Sequence, residues 1–457
     1  MNKYAVVLAA GKGTRMKSKL HKVLHPVLGK SMVAHAVTNL EKTGVEKIVT
    51  VIGYEAESVR AELKDRVEYA MQLEQLGTGH AVMMTKDLLE GLEGTTIVTY
   101  GDVPLLTEET LSNLFEYHQE QNAAITILTA TAENPTGYGR IIRDETGNVQ
   151  CIVEQKDATP EELLVKEINT GVCCYDNKIL FEALEKINNN NSQGEYYLTD
   201  LVGIIREMGQ KVIAYMNDDF EETLGVNDRV QLAYAEKILR KRVNEMHMRN
   251  GVSLIDPEAT YIGTDVTIES DVVIHPGVIL TGTTHIGTNS IIAANSQLTN
   301  AQIGENTTIN ASVISDSKIG NHTTVGPFAH IRMNSEIGNH VRIGNFVEIK
   351  KSILKDEAKS AHLSYIGDAE IGTNVNMGCG SITVNYDGKN KHKTIIGENT
   401  MVGCNVNLVA PITIAPNAYL AAGSTITKDV PQDTLAIARS KQENKEGYAA
   451  KIHSHSK

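Results

Sequence analysis

A glycine-rich segment near the N-terminus carries residues that could bind a phosphate group. It reads LAAGKGTR from Leu8 to Arg15, after an apolar run typical of a buried strand. In open α/β sheets ligands bind beyond the carboxyl ends of strands, where glycine lets backbone N–H groups approach phosphate. The segment matches neither a P-loop nor the dinucleotide pattern, which needs glycine where Met16 stands. A plain turn is the alternative, but the local positive charge favours anion binding, from Lys12, Arg15, Lys17, Lys19 and Lys22.

A carboxylate follows a second predicted strand. The run from Thr95 to Tyr100 is β-rich and leads into Gly101-Asp102-Val103-Pro104. A carboxylate at a strand end can hold a hard cation such as Mg²⁺, which keeps one or two carboxylates and takes further oxygens from phosphate and water. An aspartate that only closes a turn is the alternative reading of Asp102.

A third group of polar residues lies in the second half of the chain. Its members are Arg332, Glu348, Lys350, Lys351, His362, Tyr365, Asn376, Asn385 and Tyr386. Histidine titrates near neutrality, so His362 could act as a general base. Several other histidines in this half show that a histidine alone is weak support for catalysis. His362 therefore depends on its sequence context.

The elements that must position this third group repeat every six residues. Aliphatic anchors recur without a break, and glycine often follows an anchor directly. The first series is Ile262, Ile268, Ile274, Leu280, Ile286, Ile292, Leu298; the second is Ile319, Val325, Ile331, Ile337, Ile343, Ile349; the third is Ile396, Val402, Leu408, Ile414, Leu420, Ile426. Six is a multiple of the strand period, so each hexapeptide forms one side of a coil and stacked coils bury an aliphatic column. The pattern breaks at 350–366 and 385–393, where we expect loops on a binding face.

The first half of the chain is organised differently. Four β-rich runs alternate with amphipathic stretches, which predicts a doubly wound α/β domain with a parallel sheet. The segment Asp228–Asn250 lacks glycine and proline and predicts one connecting helix that ends at Gly251. The expected domains are residues 1–229, a linker helix at 230–250, and a repeat domain with a C-terminal tail at 251–457.

Composition narrows the class of protein. The 457 residues, 41% hydrophobic and 22% charged, suit two or three soluble domains. A formal net charge of −13 argues against general binding to nucleic acid or to an anionic membrane. The absence of a long apolar segment or a secretory signal indicates a cytoplasmic protein. The cysteines form no CxxC pair and are odd in number, so we expect free buried thiols at Cys151, Cys173, Cys174, Cys379 and Cys404.

Motifs in both halves resemble one enzyme family. The first half contains LAAGKGTRM, KVLH, EQLGTGHA, YGDVPL, PTGYGRI, VEQKDA, EINTG, GEYYLTD and LGVNDR, which resemble the sugar-nucleotide pyrophosphorylases. The second half contains HIRMNSEIG, GNFVEIKKS, AHLSYIGDAEIG, GSITVNYDGKNK and ALAIARS. Together, over about residues 3–445, they resemble the bacterial bifunctional N-acetylglucosamine-1-phosphate uridylyltransferases and glucosamine-1-phosphate acetyltransferases. The resemblance implies a Rossmann-like nucleotidyltransferase domain, a connecting helix and a left-handed parallel β-helix.

The resemblance implies a first site that makes UDP-N-acetylglucosamine from UTP with Mg²⁺. Arg15 and Lys22 match phosphate-binding positions of the family, and Asp102 with Asn227 matches its metal ligands. The positions that match contacts to UTP or to the product are Leu8, Ala9, Ala10, Gly11, Lys22, Gln72, Gly77, Thr78, Gly139, Glu154, Asn169 and Asn227. Charge stabilisation and alignment suffice for phosphoryl-group transfer, so this site needs no nucleophile from the protein.

The second site implied by the resemblance transfers an acetyl group from acetyl-CoA to glucosamine 1-phosphate. His362 is its expected general base, and we hypothesise that Glu348 orients the imidazole. The expected sugar-phosphate contacts are Arg332, Lys350, Tyr365 and Asn376, and the expected acetyl-CoA contacts are Cys379, Asn385, Tyr386, Cys404, Ala422 and Arg439. Many relatives carry alanine or serine where Cys379 and Cys404 stand. Because the family transfers the acetyl group directly to the amine, both cysteines are read as wall residues rather than nucleophiles. His330-Ile331-Arg332-Met333-Asn334 also departs from the usual Arg-x-Arg-Pro-Gly.

Two alternatives compete with the bifunctional enzyme. A single-function nucleotidyltransferase would use its β-helix only for assembly or regulation, and the set around His362 argues against it. A non-catalytic subunit would have lost some of the residues at Gly11–Arg15, Lys22, Asp102 and Asn227. The resemblance further implies homotrimers with acetyl-transfer sites between chains, small-molecule substrates, and no nucleic-acid or membrane partner.

Overall fold

The structure, a computed structural model, describes residues 1–191 and 193–454. Two compact units divide the chain, Met1–Leu239 and Arg240–Lys457. Across the described ranges, every helix is too short or too polar to cross a membrane.

A mixed β-sheet forms the centre of the first unit, and a two-stranded ribbon lies apart from it. The strands are β1 (Lys3–Leu8), β2 (Pro26–Val27), β3 (Lys30–Ser31), β4 (Lys47–Ile52), β5 (Glu68–Met71), β6 (Thr95–Tyr100), β7 (Ile125–Thr131), β8 (Arg140–Arg143), β9 (Val149–Val153), β10 (Glu167–Asp176) and β11 (Val212–Asn217). The sheet order is β11-β7-β10-β6-β1-β4-β5, with the β8–β9 hairpin beside β10, while β2 and β3 form the ribbon.

The expectation of a parallel sheet is right for part of this order and wrong at one strand. β5, β4, β1 and β6 are parallel, whereas β10 runs antiparallel between β6 and β7. Antiparallel neighbours need no helical crossover. The hairpin β8–β9 pairs with β10 through β8, and the segment that leads from this hairpin to β10 contains only the 3-10 turn Glu162–Leu164. The doubly wound α/β class itself is confirmed.

Helices cover both faces of the sheet. They are α1 (Met32–Lys42), α2 (Ala56–Leu63), α3 (Thr78–Met83), α4 (Lys86–Leu89), α5 (Glu108–Glu120), α6 (Asn177–Leu184) and α7 (Leu201–Glu207). Side chains of β1 alternate between two buried clusters, with Val6 packed among residues of α3, α6 and α7 and Val7 among residues of α1 and α5. Because both faces are covered, the carboxyl edge of the parallel strands remains for ligands.

A long helix, α8 (Arg229–Arg249), runs from the first unit into the second. In the first unit its residues Ala235 and Ile238 pack against Val27 and Met32. Gly251 follows with a φ of 93°, a left-handed conformation that ends the helix. In the second unit the side-chain amide of Asn244 donates to the carbonyl of Pro257 at 2.7 Å.

The second unit is a three-sided β-helix of short parallel strands, the left-handed hexapeptide type. They are β12 (Ser253–Leu254), β13 (Tyr261–Ile262), β14 (Thr267–Ile268), β15 (Val273–Ile274), β16 (Ile279–Thr281), β17 (His285–Ile286), β18 (Ile291–Ile292), β19 (Gln297–Thr299), β20 (Gln302–Ile303), β21 (Thr308–Ile309), β22 (Val313–Ser315), β23 (Lys318–Ile319), β24 (Thr324–Val325), β25 (His330–Arg332), β26 (Glu336–Ile337), β27 (Arg342–Lys350), β28 (Ile353–Leu354), β29 (Lys359–Gly367), β30 (Ala369–Ile371), β31 (Asn376–Met377), β32 (Ile382–Val384), β33 (Thr394–Ile396), β34 (Met401–Val402), β35 (Asn407–Val409), β36 (Ile412–Ile414), β37 (Tyr419–Leu420), β38 (Thr425–Ile426) and β39 (Leu435–Ala436). A last helix, α9 (Tyr448–Ser454), follows.

The repeat anchors line the inside of this β-helix. Ile292, Ile331 and Leu408 are fully buried, and the other anchors are buried too except Ile268, which is partly exposed. Strand register stacks anchors of successive coils on one another, as Ile274 on Ile292, although Ile343 lies opposite Ser360. The predicted aliphatic column is therefore confirmed.

The two predicted breaks in the repeat have different structures. At 385–393 the extra residues lengthen the coil, so that Asn374 bonds to Asn399, 25 residues later, where most coils return after about 18. The expected loop is present there. At 350–366 no loop forms, which corrects the expectation. That coil is only about one residue short, and the nine-residue strands β27 and β29 absorb the difference.

Candidate functional sites

A cavity of about 240 Å³ opens at the carboxyl edge of the first sheet. Its lining includes nine residues predicted for the first site: Leu8, Ala9, Ala10, Gly11, Lys22, Gln72, Gly77, Thr78 and Asp102. The glycine-rich turn leaves β1, and Gly101, which precedes Asp102, donates its N–H to the carbonyl of Leu8 at 3.0 Å. Adjacent parallel strands thus bring the two sequence motifs to one edge.

Oxygen atoms of Asp102 and Asn227 converge on one cation. The Lys22 ammonium group donates to Asp102 Oδ2 and, at 3.1 Å, to Asn227 Oδ1. Arg15 Nη2 donates to the same Asn227 oxygen at 2.8 Å. A carboxylate and an amide oxygen that face the same positive charge are hard donors of the kind that Mg²⁺ takes, with phosphate and water completing its shell. The residues present therefore fit a divalent cation.

The turn around Gly11 is held by a histidine that sequence reasoning missed. The ring nitrogen Nε2 of His21 lies 2.9 Å from the Gly11 carbonyl, to which it donates. Burial of His21 lowers the pKa of its imidazole, which keeps the ring neutral. A neutral histidine braces the glycine-rich turn without adding to its charge.

The Gln72–Thr78 segment forms another wall of the cavity. The side-chain amide of Gln72 donates to the Gly77 carbonyl at 3.1 Å. Gly77 has a φ of 115°, and a Cβ there would lie 2.6 Å from the Tyr196 carbonyl oxygen. Only glycine fits that position. The Thr78 hydroxyl, at the start of α3, accepts the N–H of Leu198 at 3.1 Å.

The residues predicted for the sugar lie together on the antiparallel part of the sheet. The N–H of Asn169 donates to the Gly139 carbonyl at 2.9 Å, and a Cβ on Gly139 would lie 3.5 Å from the Glu154 carboxylate. Tyr100 connects them to the cavity, because it lines the cavity and interacts electrostatically with both Asp102 and Glu154.

A buried arginine, which the sequence did not predict as a site residue, stabilises the same region. Arg140 is 2% exposed. Its guanidinium group donates to the Tyr138 carbonyl and to Gln155 Oε1, which also accepts the N–H of Gly137 at 3.0 Å. Arg140 and Gln155 thereby fix the backbone that leads to Gly139.

Replacement of Glu154 by glutamine should stabilise the fold at neutral pH and weaken sugar binding. Burial raises the pKa of the Glu154 carboxyl group, against the smaller effect of the Thr199 hydroxyl. A folded-state pKa above the unfolded value means that the ionised group costs folding free energy at pH 7.5, and that this cost disappears as the pH falls towards 4.5. We expect Glu154→Gln to raise the unfolding temperature at pH 7.5, with a smaller difference at pH 5, and to raise the KM for the sugar phosphate.

The control is Glu133→Gln, at an exposed position in the same unit. It should leave the unfolding temperature unchanged at both pH values. If Glu154→Gln raised the unfolding temperature equally at pH 7.5 and pH 5, burial of Glu154 would not be the cause of its raised pKa.

In the second unit a cluster of positive charge lies beside the long strands. Lys350 and Lys391 lie close enough to affect each other's titration, Arg332 lies near both, and the Asp368 carboxylate faces them. The ammonium group of Lys391, together with burial, lowers the pKa of Lys350. Three cations that face one carboxylate can bind a phosphate group. Lys391 comes from the inserted loop and was not predicted.

The structure gives Glu348 and His362 different hydrogen-bond partners. Glu348 Oε1 accepts two hydrogen bonds from Arg332, at 2.5 and 3.2 Å. Strand register places Glu348 opposite Tyr365, whereas Asn345 lies opposite His362. Asn345 Oδ1 is 3.2 Å from His362 Nδ1. The oxygen accepts only if Nδ1 carries the proton, which leaves Nε2 of this exposed imidazole free to accept a proton.

Two further predicted residues, Tyr365 for the sugar and Asn385 for acetyl-CoA, belong to one hydrogen-bonded group. Asn385 is buried, and its side-chain amide donates to Asp368 Oδ2 at 2.5 Å and to the Tyr365 hydroxyl at 3.4 Å. Asn376, also predicted for the sugar, lies on the coil that follows β29. Its side-chain amide donates a hydrogen bond to the sulfur of Met401 at 3.2 Å. Tyr365, Asp368 and Asn385 therefore form one hydrogen-bonded group next to the cations.

Most residues predicted for acetyl-CoA form either a group at one corner of the β-helix or a group of exposed residues outside that corner. Cys379, Cys404 and Ala422 lie at one corner on successive coils, and each coil donates to the one before, as Asn405 N to Cys379 O and Gly423 N to Cys404 O, both at 2.8 Å. Tyr386 is 56% exposed in the inserted loop. Arg439 is exposed and comes directly after Ala438, whose N–H donates to Ser424 Oγ.

All five cysteines are free, but the expectation of burial holds only for Cys173 and Cys174. Cys151 is half-buried, while Cys379 and Cys404 are exposed. The exposed pair lies at the corners between strands, where side chains point away from the aliphatic column.

In the segment 330–334, whose sequence departs from the usual family pattern, Met333 and Asn334 have φ values of 62° and 58°. The sulfur of Met333 lies 3.4 Å from Arg332 Nη1. The segment thus turns a corner of the β-helix at Met333 and Asn334, and His330 supplies no permanent positive charge.

Comparisons with known proteins assign both units. Residues 4–234 match the nucleotidyl transferase family. Residues 265–300, 316–351 and 393–428 match the bacterial transferase hexapeptide family, and the unmatched stretch at 352–392 contains the inserted loop.

Relatives align along nearly the whole chain. The chain is 57% identical to the bifunctional protein GlmU of Geobacillus sp. (strain WCH70), over 99% of this chain and 98% of that protein. It is 57% identical to the bifunctional protein GlmU of Exiguobacterium sibiricum, over 98% and 100%. It is 55% identical to that of Listeria monocytogenes serovar 1/2a, over 100% and 99%. The site geometry and these alignments together show that the chain belongs to the family of bifunctional GlmU proteins, transferases with a nucleotidyl transferase unit and a hexapeptide β-helix.

Proposed function

We propose that the chain makes UDP-N-acetylglucosamine in two steps, one on each unit. The β-helix transfers an acetyl group from acetyl-CoA to glucosamine 1-phosphate, and the first unit then transfers a uridylyl group from UTP to the product. The observation that carries this proposal is the presence, in one chain, of the Lys22, Asp102 and Asn227 cluster and, on the paired strands β27 and β29, of Lys350 from the cation cluster and of His362. UDP-N-acetylglucosamine is a precursor of peptidoglycan and other cell-envelope polymers.

In uridylyl transfer, a phosphate oxygen of N-acetylglucosamine 1-phosphate attacks the α-phosphorus of UTP and pyrophosphate leaves. Lys22 and Arg15 neutralise charge on the phosphates, and N–H groups of the Gly11 turn align them. The reaction depends on a divalent cation, which we propose to be Mg²⁺ held by Asp102 and Asn227; when bound, it would neutralise phosphate charge. Glu154, Asn169 and Gly139 hold the sugar.

In acetyl transfer, Nε2 of His362 takes a proton from the amine of glucosamine 1-phosphate as the nitrogen attacks the thioester carbonyl. The bond from the carbonyl carbon to sulfur breaks, and the thiolate of coenzyme A leaves and is protonated. Asn345 fixes the tautomer that makes Nε2 the base. Arg332, positioned by Glu348, binds the sugar phosphate together with Lys350 and Lys391.

The other predicted contacts complete this second site. Tyr365 and Asn376 contact the sugar. Asn385 and Tyr386 contact acetyl-CoA, as do the corner residues Cys379, Cys404 and Ala422 and the following Arg439. Both substrate groups are small molecules, and UTP and acetyl-CoA are cytoplasmic metabolites, so we place the enzyme in the cytoplasm.

We further propose that the chain assembles as a homotrimer. An apolar column on one corner of the β-helix supports this: Phe328, Phe346 and Leu363 are 60%, 57% and 60% exposed, and the two phenylalanine rings stack at 5.6 Å. Leu363 directly follows His362. A second copy that covers this column would bring its own residues to the acetyl-transfer site.

The test follows each half-reaction separately in one preparation of the enzyme. With N-acetylglucosamine 1-phosphate, UTP and Mg²⁺, we expect UDP-N-acetylglucosamine and pyrophosphate in equal amounts, and chelation of divalent cations should stop this reaction. With glucosamine 1-phosphate and acetyl-CoA, we expect free coenzyme A and N-acetylglucosamine 1-phosphate even in the chelator. A chain that uses only the pre-acetylated substrate would have a β-helix for assembly alone, which would contradict the proposal.

A further inference from the structure

Two exposed cysteines lie side by side on adjacent coils of the β-helix. β31 pairs with β34 so that Met377 lies opposite Val402. Cys379 and Cys404 each lie two residues further along, and the N–H of Asn405 donates to the Cys379 carbonyl at 2.8 Å. The register therefore continues through the corner, and the two thiols project from equivalent positions.

The spacing of the coils brings these cysteines within reach of a disulfide. Neighbouring parallel chains lie about 4.8 Å apart, inside the range of about 4.4–6.8 Å between the Cα atoms of bonded cysteines. A relaxed disulfide brings the Cβ atoms to about 3.8 Å, so the corner must tighten by about 1 Å. Gly378 and Gly403 precede the two cysteines, and a Cβ on Gly378 would lie 2.7 Å from the backbone nitrogen of Cys404. The backbones already approach closely at this corner.

We propose that Cys379 and Cys404 form a dithiol pair that closes reversibly to an intrachain disulfide and thereby lowers acetyl transfer. The effect on acetyl transfer rests on the proposed function, which places both residues on the acetyl-CoA wall. Small disulfides, the oxidised forms of low-molecular-weight thiols, would modify the protein at these two cysteines.

The bond forms by thiol–disulfide exchange. The thiolate of one cysteine attacks the small disulfide, forms a mixed disulfide and releases one small thiol. The thiolate of the other cysteine then displaces the second small thiol, so both protons end on the released thiols. The reagent is reduced and the protein is oxidised by two electrons.

The other cysteines are protected from this reaction. Cys173 and Cys174 are buried, and burial raises the pKa of Cys173 to about 12 and that of Cys174 further above its usual value. The half-buried Cys151 has a pKa raised by the same cause. Because the thiolate is the reactive form, exchange should select Cys379 and Cys404.

The first arm of the test needs no activity measurement. The full-length enzyme is treated with oxidised glutathione, and its free thiols are titrated. We expect a fall from five thiols to three, a mass lower by about 2 Da, and one peptide that joins Cys379 to Cys404. Five remaining thiols, or a bond that joins other cysteines, would overturn the pairing.

The second arm compares oxidised and reduced enzyme in both half-reactions. Since a misplacement of about 1 Å can cost about 100-fold, we expect acetyl transfer to fall by about tenfold or more and to recover with dithiothreitol. Uridylyl transfer should not change. Disulfide formation without loss of acetyl transfer would overturn the effect on the site, while absence of acetyl transfer in the reduced enzyme would instead overturn the proposed function.

Variants separate the pair from general oxidation. The quantity compared is the ratio of oxidised to reduced acetyl-transfer activity within each variant. The double variant Cys379→Ser, Cys404→Ser should give a ratio near one, whereas Cys151→Ser should keep the ratio of the unmodified chain. A low ratio in the double variant would show that oxidation acts elsewhere.

Discussion

Replacement of His362 by alanine should abolish acetyl transfer and leave uridylyl transfer intact. The imidazole Nε2 is the proposed acceptor of the amine proton, and Asn345 holds the opposite nitrogen at 3.2 Å. A positioned general base contributes about 10²- to 10⁴-fold, so kcat for acetyl transfer should fall by that range. The measurement is release of coenzyme A from acetyl-CoA with glucosamine 1-phosphate.

A matched control uses another histidine of the β-helix. His340 is exposed and stacks on His322 with ring centroids 4.9 Å apart. His340→Ala should keep acetyl transfer. Asn345→Ala should lower kcat less than His362→Ala, because it removes only the contact that fixes the tautomer. Full acetyl-transfer activity in His362→Ala would show that another group takes the proton.

Replacement of Asp102 by alanine should stop uridylyl transfer and spare acetyl transfer. The change removes the carboxylate of the cation site and leaves the half-buried Lys22 ammonium group with Asn227 as its remaining partner in this cluster. A bound cation supplies several kcal/mol of charge stabilisation, so we expect kcat to fall by about 100-fold or more. The measurement is pyrophosphate release from UTP with N-acetylglucosamine 1-phosphate.

Asp102→Asn distinguishes metal binding from loss of structure. An amide keeps one oxygen ligand but no charge, so higher Mg²⁺ concentrations should restore part of its activity. Asp218→Asn, at an exposed position of the same unit, is the control and should behave as the unmodified chain. If Asp102→Ala retained uridylyl transfer with unchanged dependence on Mg²⁺, the metal assignment would be wrong.

Most residues of the first site could be predicted from the sequence, because its two motifs lie directly after predicted strands. Gly11 follows β1, and Asp102 follows β6, so parallel pairing alone brings the two motifs to one edge. His21 and Arg140 could not be found in that way. Each acts through a contact with the backbone of a turn, which neither periodicity nor motif spacing encodes.

The second site shows what register adds to a repeat. The six-residue period predicts which residues face inward, but not which outward residues meet. Asn345 lies 17 residues before His362, about one coil, and this spacing could have identified the contact. Glu348 lies out of phase with His362 and in phase with Tyr365, which the period alone does not reveal. Lys391 reaches the cations of the site from an insertion, whose path the repeat does not determine.

One measurement tests most directly whether the chain holds two separate active sites. Purified His362→Ala and Asp102→Ala proteins are each given glucosamine 1-phosphate, acetyl-CoA, UTP and Mg²⁺, singly and as a mixture, and UDP-N-acetylglucosamine is quantified. Each variant alone should form it about 100-fold more slowly than the unmodified chain, and the mixture should form it much faster than either variant, because one protein supplies N-acetylglucosamine 1-phosphate and the other consumes it. Formation of UDP-N-acetylglucosamine by either variant alone as fast as by the mixture, or none from the mixture, would contradict two separable sites.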